Sequence, residues 1–268
     1  MGQADALSPV LIGFIVSTAL YGVTLGQTVY YYLSFPKDDR TTKCLVAMFF
    51  LMDTVHEVMV AHSQWWYLVT GCNGDVYACS FVDWSTMFQA CPTLLIGFTG
   101  QWFYISKVWH FKQYKTSLVL ATMSIFSLVT GIVYIATCWH SQLKIIGSGY
   151  SLCHDSGGIS GPVWFSLSGA SSVLVDSGIA VSMCYKLYKM TGGKLSSITR
   201  NITKYFLASG ILLVIVTAVM FVTIWALPHT VAWLGIYIVS ARVYPNSILA
   251  MLNNRVVLRS GTSAVVLL

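Results

Sequence analysis

Asp53, His56 and Glu57 lie within one turn of each other inside an apolar stretch, and Asp176 and Arg242 lie deep inside two others. At about 100° per residue the first three fall on a single helical face, which Gln64 rejoins two turns on, while His62 points away from it. Carboxylate, imidazole and guanidinium groups can pair charges, relay protons or hold a ligand. A lone charge surrounded by lipid costs several kcal/mol, so such residues turn inward and pair. Arg242 is therefore expected to be the counter-ion of Asp53, Asp176 or both, with Glu57 one turn further outward. A second polar stripe runs along the last apolar stretch through Arg242, Asn246 and Asn253, with Tyr244 and Ser247 beside it. Asp53, His56, Glu57, Asp176, Arg242, Tyr244 and Asn246 thus form the candidate charge network or ligand cavity. The competing reading is a polar network that only fixes helix packing; three acids against one arginine are more charge than packing requires.

Other chemistries fare worse. Asp53 with His56 or Glu57 could offer zinc ligands from one face, but His62 lies opposite and no HxxxH or HExxH occurs in any apolar stretch. His110, His140, His154 and His229 fall in connections or at segment edges. No metal, no cofactor and no catalytic residue is assigned. A retinal Schiff base needs a lysine near the middle of the last segment, and Arg242 cannot form that linkage, which argues against opsin-type light sensing.

The elements that position these residues are legible in the hydropathy pattern. Of 268 residues, 56% are hydrophobic and only 9% charged, a bilayer composition. A hydrocarbon core about 30 Å thick needs roughly 20 apolar residues per helix, and seven stretches qualify: Val10 to Tyr32, Cys44 to Tyr67, Met87 to Ser106, Ser117 to Trp139, Pro162 to Tyr185, Tyr205 to Leu227, and Val231 to Leu252. The predicted fold class is an all-α, seven-transmembrane helical bundle, one domain over residues 1–259 with a short cytoplasmic tail at 260–268. The first, third and fifth connections and the chain after the last span carry nearly all the Lys and Arg, whereas the other side holds only Lys144. By the positive-inside rule the amino terminus faces outside and the carboxyl terminus the cytoplasm. The net charge of +6 is then an inner-leaflet bias, and nucleic acid is excluded as a partner. Met1 to Ser8 has no basic residue and the apolar run after it is too long for a signal core, so the first span is expected to be retained. Ala6 likewise spoils a myristoylation motif.

Cys72, Cys79, Cys138 and Cys153 fall on the outer side, where disulfides persist. Cys72, Cys79 and Cys153 are the disulfide candidates, either Cys72 with Cys79 or one of them with Cys153; a free thiol is the competing reading, most of all for Cys138. Cys44, Cys91 and Cys184 read as small buried residues or, at inner ends, as palmitoylation sites. The sequon Asn201-Ile202-Thr203 lies on the inner side and reads as a chance match. Pro92 and Pro245 fall inside spans and are expected to kink them. Gly22 with Gly26, and the small residues from Ser166 to Ser172, are helix-contact signals.

Several motifs resemble those of a fungal family of seven-span integral membrane proteins of unknown function. They are Leu20-Tyr21-Gly22-Val23 with Gln27-Thr28, Phe35-Pro36-Lys37-Asp38, Asp53-Thr54-Val55-His56 with His62 and Tyr67-Leu68-Val69-Thr70, Asp176 with Ile179-Ala180 and Cys184-Tyr185, and the closing Ser240-Ala241-Arg242-Val243-Tyr244-Pro245-Asn246-Ser247 with Leu252-Asn253-Asn254-Arg255. The resemblance implies a fungal seven-helix membrane protein and brings no ligand, reaction or partner with it. It carries a basic residue at the Arg242 position and does not extend to Glu57 or Pro245.

The expected function is that of a receptor-like seven-span sensor, in which an outer small-molecule or lipid ligand biases the buried charges and the basic inner loops report to a cytosolic partner. A proton-coupled transporter or conductor and a membrane-embedded lipid enzyme are the alternatives, and catalysis is the less favoured class. The lipid bilayer is the standing partner, and the plasma membrane is favoured over internal membranes.

Overall fold

The computed structural model describes residues 3–71, 83–141, 161–190, 214–227, 230 and 232–254. Every regular element among them is helical: α1 (Gln3–Ser34), α2 (Arg40–Trp65, continued by a π turn over Trp66–Thr70), α3 (Trp84–Phe88), α4 (Ala90–His110), α5 (Tyr114–Ser141), α6 (Gly161–Met190), α7 (Val214–Ala226), α8 (Ala232–Ser240) and α9 (Val243–Asn253). Four segments are long and apolar enough to cross a membrane, namely Ser8–Ser34, Arg40–Thr70, Tyr114–Trp139 and Val163–Lys186. The architecture is that of an all-α, multi-span membrane protein.

Apolar side chains cover its surface, and its interior holds polar groups among apolar clusters such as Tyr31, Phe49, Ile96 and Leu249. Ile12, Ile15 and Val23 of α1 and Leu118, Val119 and Ile132 of α5 face outward, while Ser17, Thr24, Gln101, Ser124, Asp53 and Arg242 are buried. Lipid tails are as apolar as Leu, so polar side chains gain most by finding one another inside the bundle. Ser127 and Ser168 illustrate this: each hydroxyl donates to the other's backbone carbonyl at 2.9 Å, joining α5 to α6.

Contacts set the helix directions. Ser17 and Thr18 meet Glu57 while Tyr21 meets Thr54, so α1 and α2 run antiparallel. Asn246 reaches Leu20 and Asn253 reaches Gln27, so α9 runs parallel to α1. One close approach holds α8 on α1: a Cβ placed on Gly13 would lie 2.5 Å from the Gly235 carbonyl oxygen, and one on Gly235 would lie 2.3 Å from the Pro9 carbonyl oxygen. The Gly22 and Gly26 pair plays no such part. Among the described residues nothing lies within 4 Å of either added Cβ, and both positions are exposed.

The expected proline kinks resolve into helix breaks one turn upstream. The ring of a proline displaces the carbonyl four residues earlier. Accordingly α3 ends before Gln89, and α8 ends at Ser240 with a turn at Ala241–Arg242, leaving Pro92 and Pro245 in the first turns of α4 and α9, where no backbone donor is needed. At the other ends, the Phe35–Asp38 motif is a tied connection: Tyr31 donates to Asp38 at 2.9 Å, Lys43 donates to the Pro36 carbonyl at 2.6 Å, and Asp39 caps α2 by accepting from the Thr41 amide.

The cysteines depart from expectation at two points. Cys138 is disulfide-bonded rather than free. Cys44 is exposed, with Cys91 and Cys184 half-buried, so none of these three free thiols is a fully buried small residue. Cys72, Cys79, Cys153 and the Asn201 sequon lie outside the described residues.

Candidate functional site

Arg242 occupies the break between α8 and α9 and is fully buried. Its guanidinium spends every nitrogen on a partner from α1 or α2. Nη1 pairs with the Asp53 carboxylate and donates to the Asp53 backbone carbonyl at 2.9 Å; Nη2 pairs with the Glu57 carboxylate; Nε donates to Ser17 Oγ at 2.8 Å. The Tyr21 ring lies 5.6 Å from the guanidinium carbon, a cation–π distance, and its hydroxyl is 3.0 Å from Thr54 Oγ1. Thr18 donates to the second Glu57 oxygen at 2.6 Å. A rigid planar fork suits this arrangement, since one point charge on a flexible stem could not meet two carboxylates and a hydroxyl in fixed directions.

Asp176 is not part of this lock. Arg242 and Tyr244 are two residues apart, hence about 200° apart around a helix axis, and they face opposite sides. Tyr244 donates to Asp176 from the α4–α6 side, where Gln101 also donates to Asp176 at 3.3 Å and to Ser172 Oγ at 2.9 Å, and Ser124 donates to Gln101 at 2.7 Å. The predicted network is therefore two clusters, one on each side of the α8–α9 break. Among the described residues no basic side chain pairs with Asp176.

Asn246 joins the break to α1. Its side-chain amide donates to the Leu20 carbonyl at 3.2 Å and to the Arg242 carbonyl at 3.0 Å, the latter an acceptor that the Asn246 backbone amide also reaches at 3.3 Å. Asn246→Ala should cost about 0.5–1.5 kcal/mol, the net worth of a hydrogen bond, because the Arg242 carbonyl keeps the backbone amide of residue 246 and the Leu20 carbonyl keeps Thr24 Oγ1. Thermal unfolding of the purified protein in detergent measures this, and an unchanged midpoint would assign both bonds no weight.

His56 shares the buried face of α2 with Asp53, yet neither ring nitrogen has a hydrogen-bond partner among the described residues. His62, on the opposite face, is partly exposed; its Nδ1 lies 2.9 Å from Ser85 Oγ and 3.3 Å from Asp83, the cap of α3. Both groups approach the same ring nitrogen and Ser85 is fully buried, so this cluster docks α3 on α2 and lacks the geometry of a nucleophile relay. Among the described residues, no group of three or more His, Cys, Asp and Glu side chains is placed to share one ion.

Ser17 and Thr18 of α1, and Gln101 and Ser124 around Asp176, were not singled out from sequence, whereas Tyr21 entered only within a resemblance motif and Ser172 only as the end of a helix-contact face. Hydroxyls are too common in membrane helices to mark a site. Gln101 carried the only usable signal, an amide in the middle of an apolar segment.

Beside the second cluster lies a cavity of about 130 Å³ between α4, α5, α6 and α7–α9. Asp176, Tyr244, Gln101, Ser172 and Ser124 line it together with Tyr134, Phe165 and Tyr237.

Residues 172–257 match the model of a family described as a family of unknown function (DUF6534). The matched stretch begins at Ser172 and takes in Asp176, the α8–α9 break, Arg242, Tyr244 and Asn246. It leaves out α1 and α2, which supply the partners of Arg242. No curated protein and no solved structure matches the chain.

Proposed function

We propose that the protein is a seven-span, receptor-like sensor with its amino terminus outside and its carboxyl terminus in the cytoplasm, in which the Arg242 lock selects between two arrangements of the α8–α9 break. The observation that carries this reading is the position of Arg242. It sits where a helix is interrupted, and it ties that interruption to α1 and α2 through every guanidinium nitrogen. Interrupted helices are natural hinges, and a hinge pinned by charge has two discrete states separated by breaking the pairs. Asp176 and Tyr244 lie on the other side of the same break, so a ligand that moved Tyr244 would strain the lock.

The orientation rests on two supports. Lys43, Lys107, Lys112, Lys115, Lys186 and Lys189 cluster at one set of helix ends, and the disulfide-bonded Cys138 lies at the opposite end of α5. The motif resemblance favours a fungal protein. The plasma membrane fits an outward-facing sensor, with a cytosolic partner at the basic ends; no catalytic role is assigned.

Spin labels at Asn254 and Lys186 would report the distance between the ends of α9 and α6. Uncoupling the lock with Arg242→Met, Asp53→Leu and Glu57→Met together should add a second distance population to the single one of the parent protein. One unchanged population in the folded variant would reduce the lock to packing. Acid-driven proton flux in sealed vesicles that Asp53→Asn abolishes would replace sensing by conduction, a reading kept specific by His56, which has no hydrogen-bond partner among the described residues.

A further inference from the structure

We propose that the cavity beside Asp176 binds a small protonated monoamine with a compact apolar body, the Asp176 carboxylate serving as its counter-ion. The inference rests on the sensor reading only in making this amine its input; the site itself stands on four observations about the cavity.

The first is charge. Asp176 is buried in the membrane-spanning part of the bundle and receives hydrogen bonds from two neutral donors, Tyr244 and Gln101. A carboxylate offers about four acceptor directions, so the two donors leave room for more. No basic side chain among the described residues pairs with it, unlike Asp53 and Glu57, whose charge Arg242 meets. A buried carboxyl without a cation beside it is the place where a cationic ligand would stabilise the ionised form.

The second is the wall. Away from Asp176 the cavity is bounded by Tyr134, Phe165 and Tyr237, whose rings form one cluster with centroid separations of 5.1 Å and 5.8 Å. Such a wall accepts an apolar or aromatic body, and among the described residues the cavity lining holds no basic side chain that would favour an anion.

The third is size. A volume of about 130 Å³ is close to that of an engineered cavity of about 150 Å³ that admits benzene, so the ligand has on the order of six to eight non-hydrogen atoms.

The fourth is the origin of the space. Gly97 lines the cavity, and among the described residues a Cβ there would meet only the Tyr244 ring, at 4.0 Å. A side chain at this position can occupy the cavity without striking backbone, which supplies a blocking variant independent of charge.

Benzylammonium and its neutral isostere benzyl alcohol separate these ideas. The full-length protein in nanodiscs of zwitterionic lipid is titrated with each by calorimetry, alongside Asp176→Asn and Gly97→Val. The expected result is binding of benzylammonium at least about tenfold tighter than benzyl alcohol, the worth of one charge-assisted hydrogen bond. Asp176→Asn should erase that preference, and Gly97→Val should weaken both ligands. Equal affinity for the two ligands, a preference that survives in folded Asp176→Asn, or no binding of either overturns the proposal. The sensor reading is tested apart from it. Benzylammonium bound with full dependence on Asp176 but without effect on the Asn254 to Lys186 distances supports the amine site and removes the coupling. Distances that respond to uncoupling the lock, in a protein that ignores benzylammonium, keep the sensor and remove the amine.

Discussion

Arg242→Ala should be the most damaging single substitution among the described residues, costing about 3–5 kcal/mol, because it strands the carboxylates of Asp53 and Glu57 in the bundle interior without a cation. The expected observation is loss of the monodisperse peak when the variant is extracted and run on a sizing column. Arg242→Lys should be intermediate. A lysine keeps the charge but has three N–H donors on one nitrogen where Arg242 makes four donor contacts from three, so at least one acceptor on Ser17, Asp53 or Glu57 loses its donor, at about 1–3 kcal/mol. The triple replacement Arg242→Met, Asp53→Leu and Glu57→Met removes all three charges together and should recover much of the lost stability, as apolar exchange of buried ionic groups commonly does. A triple variant as unstable as Arg242→Ala would mean that the damage comes from lost packing around position 242 and not from stranded charge. A triple variant that folds and keeps the parent's single Asn254 to Lys186 distance population would leave the lock no functional part.

Gly235→Leu should be the second most damaging change. Its Cβ alone would come within 2.3 Å of the Pro9 carbonyl oxygen, and that obstacle is backbone, which cannot swing aside as a side chain can. The smaller changes Gly13→Ala and Gly235→Ala should each cost about 1–3 kcal/mol by overpacking, and Gly235→Leu more than either, since α8 must then part from α1. The effect should propagate to the lock, because α8 leads directly into Arg242 and α1 supplies Ser17. Gly22→Ala and Gly26→Ala are the matched controls on the same helix. With nothing within 4 Å of the added methyls, both should stay within about 0.5 kcal/mol of the parent protein. Heating the variants in detergent and following the sizing-column peak distinguishes the two pairs; equal loss at both would show that the outward face of α1 also carries a contact.

The contrast between these glycine pairs shows where sequence patterns stop being informative. A GxxxG spacing marks a helix face on which another helix could approach closely, but it does not say that one does. In α1 the spacing at Gly22 and Gly26 faces outward, whereas the true close approach uses two glycines more than two hundred residues apart, with no local signature. The prolines are a milder case. Pro92 and Pro245 announced an interruption because a missing amide and a bulky ring act within their own turn, so the disturbance was expected from sequence and only its place, one turn earlier, came from the coordinates.

Local chemistry determined what the sequence alone could determine. Apolar run length set the membrane-spanning helices, the 100° helical step put Asp53, His56 and Glu57 on one face, and the cost of a lone charge in lipid required Arg242 to find an acid. Which acid it found was decided by tertiary structure. Partner choice depends on which helices flank α9 and on which side each residue points, and no pattern within one segment encodes that. Thus Arg242 meets Asp53 and Glu57 across α2 with Ser17 of α1, while Tyr244, turned half a revolution away, takes Asp176 with Gln101 beside an open cavity. The sequence required the charges to pair; the packing of α9 between two sets of helices divided them into two sites.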